Sequence, residues 1–536
     1  MLAKRRSLLL IMLAALLMLT VGGAIQAQEP QTGGTLVWAA DSMGDTLENG
    51  IWTGFGSINV LDTIGEGLVR INFSTGEPMP GLAESWEVSD DGLTYTFNMR
   101  DGALFHDGTP VTAEAAVRSL TRDTATEDSA YIEGMYMFPA HGTANWVSVT
   151  APDSDTLVIV LNAPDATQAA KLSRPSSYII SPATLDGGPE AVGTNPIMAG
   201  PFKLDRFVPG QEAVLSAFEG YYGGRPYLDQ VIIRAYPDEA SILTALEAGE
   251  VDMTTAAPFL AAPRLAQTEG YRVEVGGPLI SLFIGINVSN PPFDNLAVRQ
   301  AVNYAINRET LILGALSGYA QMPASLLGPN DLGFDGSGME VSSYDPERAA
   351  ALLAESGVEL PIAVNLSYEN NRFWPTMAEL IKTDLEAVGF TVTLDPLDSG
   401  SFWGKVADSA ADEVLSEGDP TRMQLSINQR STFIADPDDR VQIVDGVRSP
   451  YGQANHQLLE TAGELDSLLA QGIATTDTAE RVAIYTSVQQ VLLDSLPYVY
   501  LGYLTPPVFV TDRVQGVPVD PVAAGRISLR EVWVSG

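Results

Sequence analysis

The chain has 536 residues, of which 67 are acidic and 29 are basic, and its formal net charge is −38. A surface this acidic repels nucleic acid and anionic lipid headgroups, so we expect neither as a partner. The absence of cysteine excludes disulfides, thiolate metal sites, cysteine nucleophiles and a lipid anchor on an N-terminal cysteine. The length allows two or three domains with a large core.

Residues 1–27 have the layout of a secretory signal peptide. Three basic residues at 4–6 precede an apolar run over 8–21, and small residues follow up to Ala27. This order predicts cleavage after Ala24 or Ala27. The alternative is a retained membrane anchor, because the run approaches the length that spans a bilayer. We expect cleavage, and hence a periplasmic or extracellular protein.

The first half of the chain predicts strands joined by short turns. Residues 34–39 form a first apolar stretch, and residues 92–100 alternate apolar and polar side chains. That alternation indicates a strand with one buried face. Thr112 is placed to cap the helix that follows. Residues 146–161 give two further alternating strands around a turn.

The second half begins with a nearly unbroken apolar run over 280–288, which predicts a strand buried on both faces. Prolines at 291 and 292 end the strand, since neither can donate a hydrogen bond to a neighbouring strand. Asp294 and Asn307 are then expected to cap two successive helices.

The rest of the second half continues the α/β pattern. Residues 345–394 alternate helices and strands in an order that predicts parallel strand pairing. Residues 478–493 predict an amphipathic helix, and residues 498–510 predict one strand that returns to the first domain.

Motifs of catalysis and cofactor binding are missing. The sequence contains no G-x-S-x-G, H-E-x-x-H, Walker A or G-x-G-x-x-G motif. His106, His141 and His456 are isolated, and such histidines are more often surface or hydrogen-bonded residues than ligands. We therefore predict a binding protein rather than an enzyme, with no metal and no cofactor.

Two groups of residues carry a resemblance to a known family. One is the stretch GINVSNPPFDNLAVRQAVNYAINR over 285–308. The other combines Trp86, the strand ending at Arg100, and the DGTPVT segment over 107–112. Together they resemble extracytoplasmic solute-binding proteins of ABC importers, the oligopeptide/dipeptide/nickel-binding family (family 5). The resemblance implies an α/β fold of the bilobal periplasmic-binding-protein type with an additional inserted domain.

The resemblance also implies a division into three domains after the signal peptide, with hinge crossings near Gly277 and Pro497. Domain I is expected to be discontinuous. The implied ranges are 28–70, 196–278 and 501–536 for domain I, 71–195 for domain II, and 279–500 for domain III.

The resemblance places the ligand's anchor in an acidic segment. In the family, an Asp that follows an aromatic residue and an Ala pairs with the α-ammonium group of a peptide, and the matching residue is Asp436. A buried ammonium needs a fixed anion at hydrogen-bond distance. Asp438 is the alternative anchor if the match shifts by two residues, and an Asp-Pro turn is the structural alternative for Asp436. Replacing Asp439 by alanine is expected to matter little for peptide binding.

Further binding residues follow from the same resemblance. Aromatic side chains would contact the ligand, an arginine would pair with its carboxylate, and two backbone segments, 432–434 and 54–58, would flank a peptide as extended strands. For the side chains, core packing or a solvated surface charge is the alternative. These residues are Phe433, Trp403, Arg430, Arg422, Thr432, Ile434, Gly56 and Ser57.

The resemblance implies that the protein captures a short peptide or similar small solute in an interdomain cleft and delivers it to a membrane permease, acting as a monomer. Two alternatives remain at this level. The first is a secreted hydrolase of peptides or glycans, and the second is the ligand-binding subunit of a sensor.

Overall fold

The computed structural model describes residues 29–50, 55–72, 75–122, 145–278, 280–332, 334, 339, 341–410, 423–431, 434, 436–444, 459–518 and 526–535. The expected signal peptide, His141 and His456 lie outside these ranges. Among the described residues, no helix combines the length and the apolar character needed to cross a membrane.

The described chain up to residue 278 contributes to two larger sheets, forms the two-stranded sheet β2–β3 and carries the helices around them. Its elements are β1 (Thr35–Ala40), α1 (Phe55–Ile64), β2 (Val69–Ile71), β3 (Pro78–Pro80), β4 (Ala83–Val88), β5 (Thr94–Met99), α2 (Ala113–Leu120), β6 (Trp146–Asp153), β7 (Thr156–Leu161), α3 (Gln168–Lys171), a 3₁₀ turn (Pro175–Ser177), α4 (Pro182–Asp186), α5 (Gly188–Thr194), β8 (Phe202–Val208), β9 (Glu212–Ala217), β10 (Gln230–Ala235), α6 (Glu239–Glu247), β11 (Met253–Thr254), a 3₁₀ turn (Phe259–Ala261), α7 (Ala262–Leu265) and β12 (Tyr271–Val275).

The remaining chain builds a third large sheet and then returns to the first. Its elements are β13 (Ile280–Ile286), α8 (Leu296–Ala305), α9 (Arg308–Leu316), β14 (Ala320–Gln321), α10 (Pro346–Glu355), β15 (Ile362–Glu369), α11 (Trp374–Glu386), β16 (Phe390–Leu397), α12 (Ser399–Ala410), β17 (Leu425–Arg430), α13 (Pro437–Val441), a 3₁₀ turn (Gln442–Val444), α14 (Ala462–Ala474), α15 (Thr478–Ser495), β18 (Tyr498–Leu504), β19 (Pro507–Thr511), β20 (Val514–Gln515) and β21 (Trp533–Val534).

The first large sheet has seven strands in the order β12-β19-β11-β1-β10-β9-β8. β1 pairs in parallel with both β10 and β11, so it occupies an interior position. Helix α1 packs on this sheet, and Ile58, Leu61 and Ile64 join its core. We call residues 29–278 and 507–535 the first lobe.

The first lobe also contains a four-stranded antiparallel sheet, β4-β5-β7-β6, whose buried residues form a separate hydrophobic core. The alternation predicted for residues 92–100 is confirmed, because Tyr95, Phe97 and Met99 of β5 are buried. The predicted cap is also confirmed, since the Thr112 side chain accepts a hydrogen bond from the Ala115 N–H at the start of α2.

The six-stranded sheet, β14-β18-β13-β17-β15-β16, organises residues 280–505, which we call the second lobe. All seven residues of β13 are buried, which confirms the predicted strand. The two faces of β13 belong to two different hydrophobic cores. Leu282 and Ile284 pack among the helices on one face, and Phe283 contacts Tyr498 on the other. The predicted parallel pairing within residues 345–394 is confirmed by β15 and β16.

Two sequence expectations for the second lobe need correction. The first helix is capped by Asn295 rather than Asp294, because the Asn295 side chain accepts from the Ala297 N–H at 2.9 Å. Asn307 caps the next helix as predicted. The single strand predicted over 498–510 is two strands: β18 pairs with β13 in the second lobe, and β19 pairs with β11 and β12 in the first.

The chain therefore passes between the lobes after β12, which ends at Val275, and again at residues 505–506. The first passage coincides with the crossing expected near Gly277, and the second lies after Leu504 rather than near Pro497. β18 ends at Leu504, and Pro506 has no N–H with which to continue that ladder. The division into three domains stays a prediction.

Candidate functional site

The acidic segment predicted as the ligand anchor lies between β17 and α13, where the two lobes meet. β17 pairs with β13 near the middle of its sheet, so the segment starts from a rigid strand. Within it, Ile434 is buried, and α13 follows from Pro437. The predicted residues Arg422, Thr432 and Phe433 lie outside the described residues.

Asp436 already has a cationic partner inside the second lobe. Its two carboxylate oxygens accept hydrogen bonds of 2.8 and 2.9 Å from the guanidinium of Arg481 on α15. Burial raises the pKa of Asp436, and the hydrogen bonds and charge of Arg481 oppose that rise. An ammonium group bound at Asp436 would therefore share the carboxylate with Arg481. The anchoring role of Asp436 stays a prediction.

Asp438 lies deeper in the second lobe, with 3% of its surface exposed. The Tyr485 hydroxyl of α15 donates to its Oδ1 at 3.4 Å, and the Asp438 N–H donates to Asp436 at 2.9 Å. Burial raises the pKa of Tyr485 above its usual range, and the neighbouring carboxylates add to this rise. Asp438 thus contacts the interior of its lobe, and its role as an alternative anchor stays a prediction.

Asp439 makes a direct contact between the lobes. Its Oδ1 lies 2.6 Å from Nη2 of Arg174, which belongs to the first lobe, and its Oδ2 accepts from the Ile434 N–H at 3.3 Å. The Asp439 side chain is 0% exposed. Asp439 is therefore a fully buried, ion-paired carboxylate, and the expectation that Asp439→Ala matters little for peptide binding stays a prediction.

Arg430 is engaged within the same segment. It donates to the backbone oxygen of Asp439 at 2.6 Å, and its own backbone oxygen accepts from Arg440 at 2.8 Å. Burial lowers the pKa of Arg430 to about 10, and the positive charges of Arg174 and Arg440 act in the same direction as burial. Whether Arg430 also reaches a ligand carboxylate stays a prediction.

Trp403 lies on α12, which follows the strand pair β15–β16. Its ring meets that of Phe402 edge to face at 5.4 Å. Burial raises the pKa of Glu369 at the end of β15, although hydrogen bonds from Ser399 and Trp403 oppose the rise. Trp403 is half-buried, so its ring retains an accessible part. Its contact with a ligand stays a prediction.

Gly56 and Ser57 lie in the first turn of α1, so the extended backbone predicted over 54–58 is wrong from residue 55 onward. The helix forms because apolar residues recur at helical spacing along α1 and reach the core. A Cβ on Gly56 would lie 2.0 Å from the Ser42 carbonyl oxygen. The Ser57 hydroxyl accepts from the Gly44 N–H at 3.0 Å. Both residues therefore position the loop after β1.

Sequence reasoning missed a second set of charges between the lobes. Glu239 of α6 lies 3.5 Å from Arg372, which follows β15 in the second lobe. Burial raises the pKa of Glu239, and Asp41 after β1 opposes ionisation of both Glu239 and Glu369. The sequence position of Asp41 and Glu369 could have indicated this site. Both residues lie at the carboxyl ends of parallel strands, where α/β proteins bind ligands. Within the described ranges, no group of three metal-ligating side chains converges.

The sequence matches a family model and curated relatives along most of its length. The model for bacterial extracellular solute-binding proteins, family 5 (middle), matches residues 77–439. The dipeptide-binding protein of Escherichia coli (strain K12) is 27% identical over 542 residues, covering 95% of each chain. The glutathione-binding protein GsiB of the same strain is 29% identical over 429 residues, covering 78% of this chain and 79% of GsiB.

The fold matches solved structures as well. DppA of Helicobacter pylori, in complex with the peptide STSA, gives a TM-score of 0.81 at 24% identity and covers 94% of this chain and 99% of that chain. AgaA of A. tumefaciens R10, in complex with agropinic acid, gives 0.79 at 27% identity with the same coverage. NikA of Brucella suis, in complex with Fe(III)-EDTA, gives 0.81 at 24% identity, covering 94% of this chain and 100% of that chain.

These matches confirm the predicted bilobal α/β fold and the predicted binding, non-enzymatic class. The family model covers well over half of the sequence. The chain therefore belongs to family 5 of the bacterial extracellular solute-binding proteins.

Proposed function

We propose that this protein captures a short peptide, or a similar small solute, between its two lobes and delivers it to the permease of an ABC importer. The observation that carries the proposal is the family match over residues 77–439. In this proposal the protein acts as a monomer outside the cytoplasmic membrane, and residues 1–27 direct export and are removed.

The relatives do not share one ligand chemistry. Their names and titles mention dipeptides, glutathione, the peptide STSA, agropinic acid and Fe(III)-EDTA. We favour a peptide because acidic side chains predominate around Arg372 and because Asp436 retains acceptor capacity. A carboxylate has about four lone-pair sites, and Asp436 accepts two hydrogen bonds from Arg481 and one from the Asp438 N–H, which leaves room for a ligand's ammonium group.

The test begins with native mass spectrometry of freshly purified protein, because a trapped ligand would give its mass and class. Calorimetric titration then compares a dipeptide such as Ala-Leu with its N-acetylated form, which lacks the ammonium group. We expect the free peptide to bind and the acetylated peptide to bind at least about tenfold more weakly, because it lacks the ammonium group that would share Asp436 with Arg481. Equal binding of both forms would contradict an ammonium anchor.

A second candidate role is supply of the ligand to a sensor rather than to a permease. Uptake of labelled peptide by cells with and without the gene distinguishes the two. Loss of uptake in the deletion strain supports transport. Unchanged uptake combined with altered gene expression on peptide addition supports sensing.

A further inference from the structure

A buried ion pair connects the two lobes at a point that no predicted ligand contact requires. Arg174 donates to Asp439 at 2.6 Å, and the two side chains are 4% and 0% exposed. The residues are 265 positions apart in sequence, and each belongs to a different lobe.

Each partner is fixed in its own lobe. Arg174 precedes the 3₁₀ turn at Pro175, whose carbonyl oxygen accepts from the Asn49 side chain at 2.9 Å. On the other side, Asp439 lies in α13 next to Arg440, which donates to the Ser281 hydroxyl of β13 at 3.1 Å. The ion pair thus joins two rigid frameworks rather than two mobile side chains.

A backbone hydrogen bond crosses the same boundary. The Ala166 N–H of the first lobe donates to the carbonyl oxygen of Ile473 at 2.8 Å. Ile473 lies in the last turn of α14, where carbonyls have no partner inside the helix. This hydrogen bond exists only when the lobes are together, so the Ala166 amide reports lobe separation directly.

We propose that Arg174 and Asp439 form an electrostatic latch that holds the lobes together even without a ligand. When the lobes separate, water solvates both charges, and no charge is left unpaired in a dry site. When they close, each charge loses its water and gains the other at 2.6 Å, while Arg430 of the second lobe also lies 3.7 Å from Asp439. Removing one partner therefore penalises the closed state more than the open state.

Hydrogen exchange of the ligand-free protein tests the latch without knowledge of the ligand. In Arg174→Gln we expect the amide of Ala166 to exchange at least about tenfold faster than in the wild type, because close buried pairs couple by more than that factor. The matched control is Arg118→Gln, which breaks the exposed pair Arg118–Asp186 within the first lobe. We expect the control to leave exchange at Ala166 unchanged.

Small-angle scattering of the same ligand-free samples provides a second measurement, and we expect a larger radius of gyration for Arg174→Gln only. If Arg174→Gln matches the wild type in both measurements, the latch does not hold the lobes and the proposal fails. Failure of the peptide proposal leaves these results untouched, because no ligand is present.

A double substitution distinguishes the loss of the latch from a general loss of structure. If Arg174→Gln does not fold, Asp439→Asn takes its place as the single variant. Arg174→Gln combined with Asp439→Asn removes both charges of the pair that crosses the boundary. We expect this double variant to open less than either single variant. Opening equal to the sum of the two single effects would overturn the proposed coupling.

Discussion

Replacing Asp436 by alanine should reduce stability as well as peptide affinity. The substitution leaves the Arg481 guanidinium with its hydrogen bond to the Gly472 carbonyl and its position 5.4 Å over the Tyr485 ring. Breaking a buried pair by removing one partner costs about 3–5 kcal/mol. The side chains of Asp436 and Arg481 are 13% and 7% exposed, so we expect the lower end, about 3 kcal/mol.

Urea unfolding followed by tryptophan fluorescence measures this loss. A loss below about 1 kcal/mol, the range of exposed ion pairs, would mean that the Asp436–Arg481 pair is not formed in solution. Such a result would also refute the reading of Asp436 as a shared carboxylate.

The double variant Asp436→Ala/Arg481→Met separates the structural role from the binding role. Because neither charge remains, we expect much of the lost stability to return. If Asp436 binds the ligand's ammonium group, peptide affinity stays at least about tenfold below wild type in this variant. Recovery of both stability and affinity would show that Asp436 acts only through Arg481.

Three further predictions concern single positions. If the anchor is Asp438, calorimetry of Asp438→Ala will show lost peptide binding while Asp436→Ala retains it; retained binding in both variants would remove the ammonium anchor altogether. Burial lowers the pKa of His106 to about 4, below its unfolded value, so its contribution to stability is complete above about pH 6.5 and is lost as the pH falls toward 4. Between pH 7 and 5 the wild type should lose about 2 kcal/mol more unfolding free energy than His106→Gln, and equal losses would contradict the burial of this imidazole. Gly56→Ala should cost about 1–3 kcal/mol, because its Cβ would strike the Ser42 carbonyl, whereas Gly404→Ala on α12 has open space and should be neutral or stabilising in thermal unfolding. A neutral Gly56→Ala would contradict the close approach of the loop after β1.

Elements with a local signature were predictable from sequence. The apolar run of β13 and the alternation of β5 each fix which faces are buried, and the structure confirms both. Caps were predictable to within one residue: Thr112 and Asn307 are correct, and Asn295 replaces its neighbour Asp294. Neighbouring Asp and Asn are equivalent as caps in sequence, and only the backbone geometry decides between them.

The site was predictable only in part, because its partners are distant in sequence. The family resemblance located the acidic segment, but Arg481 lies 45 residues from Asp436, and Arg174 lies 265 residues from Asp439. No periodicity or motif connects such residues. Asp436 and Arg481 meet when the second lobe folds, and Arg174 and Asp439 meet only when the two lobes come together. The extended conformation assigned to residues around Gly56 was wrong for a similar reason, since the packing of α1 on its sheet decides the local backbone.

The charge balance at the lobe boundary bears on how a ligand is selected. Among the described residues, the charges in and around the segment that carries the predicted anchor balance, with four arginines beside four aspartates. These are Arg174, Arg430, Arg440 and Arg481 with Asp331, Asp436, Asp438 and Asp439. A ligand charge bound there must share a partner, and its contribution to affinity is then smaller than that of a full new ion pair. Around Arg372, by contrast, Asp41, Glu239 and Glu369 outnumber the cation, and burial raises the pKa of both glutamates. An ammonium group placed near Arg372 would relieve that excess of negative charge, so ligand charge should be discriminated more strongly there than at Asp436.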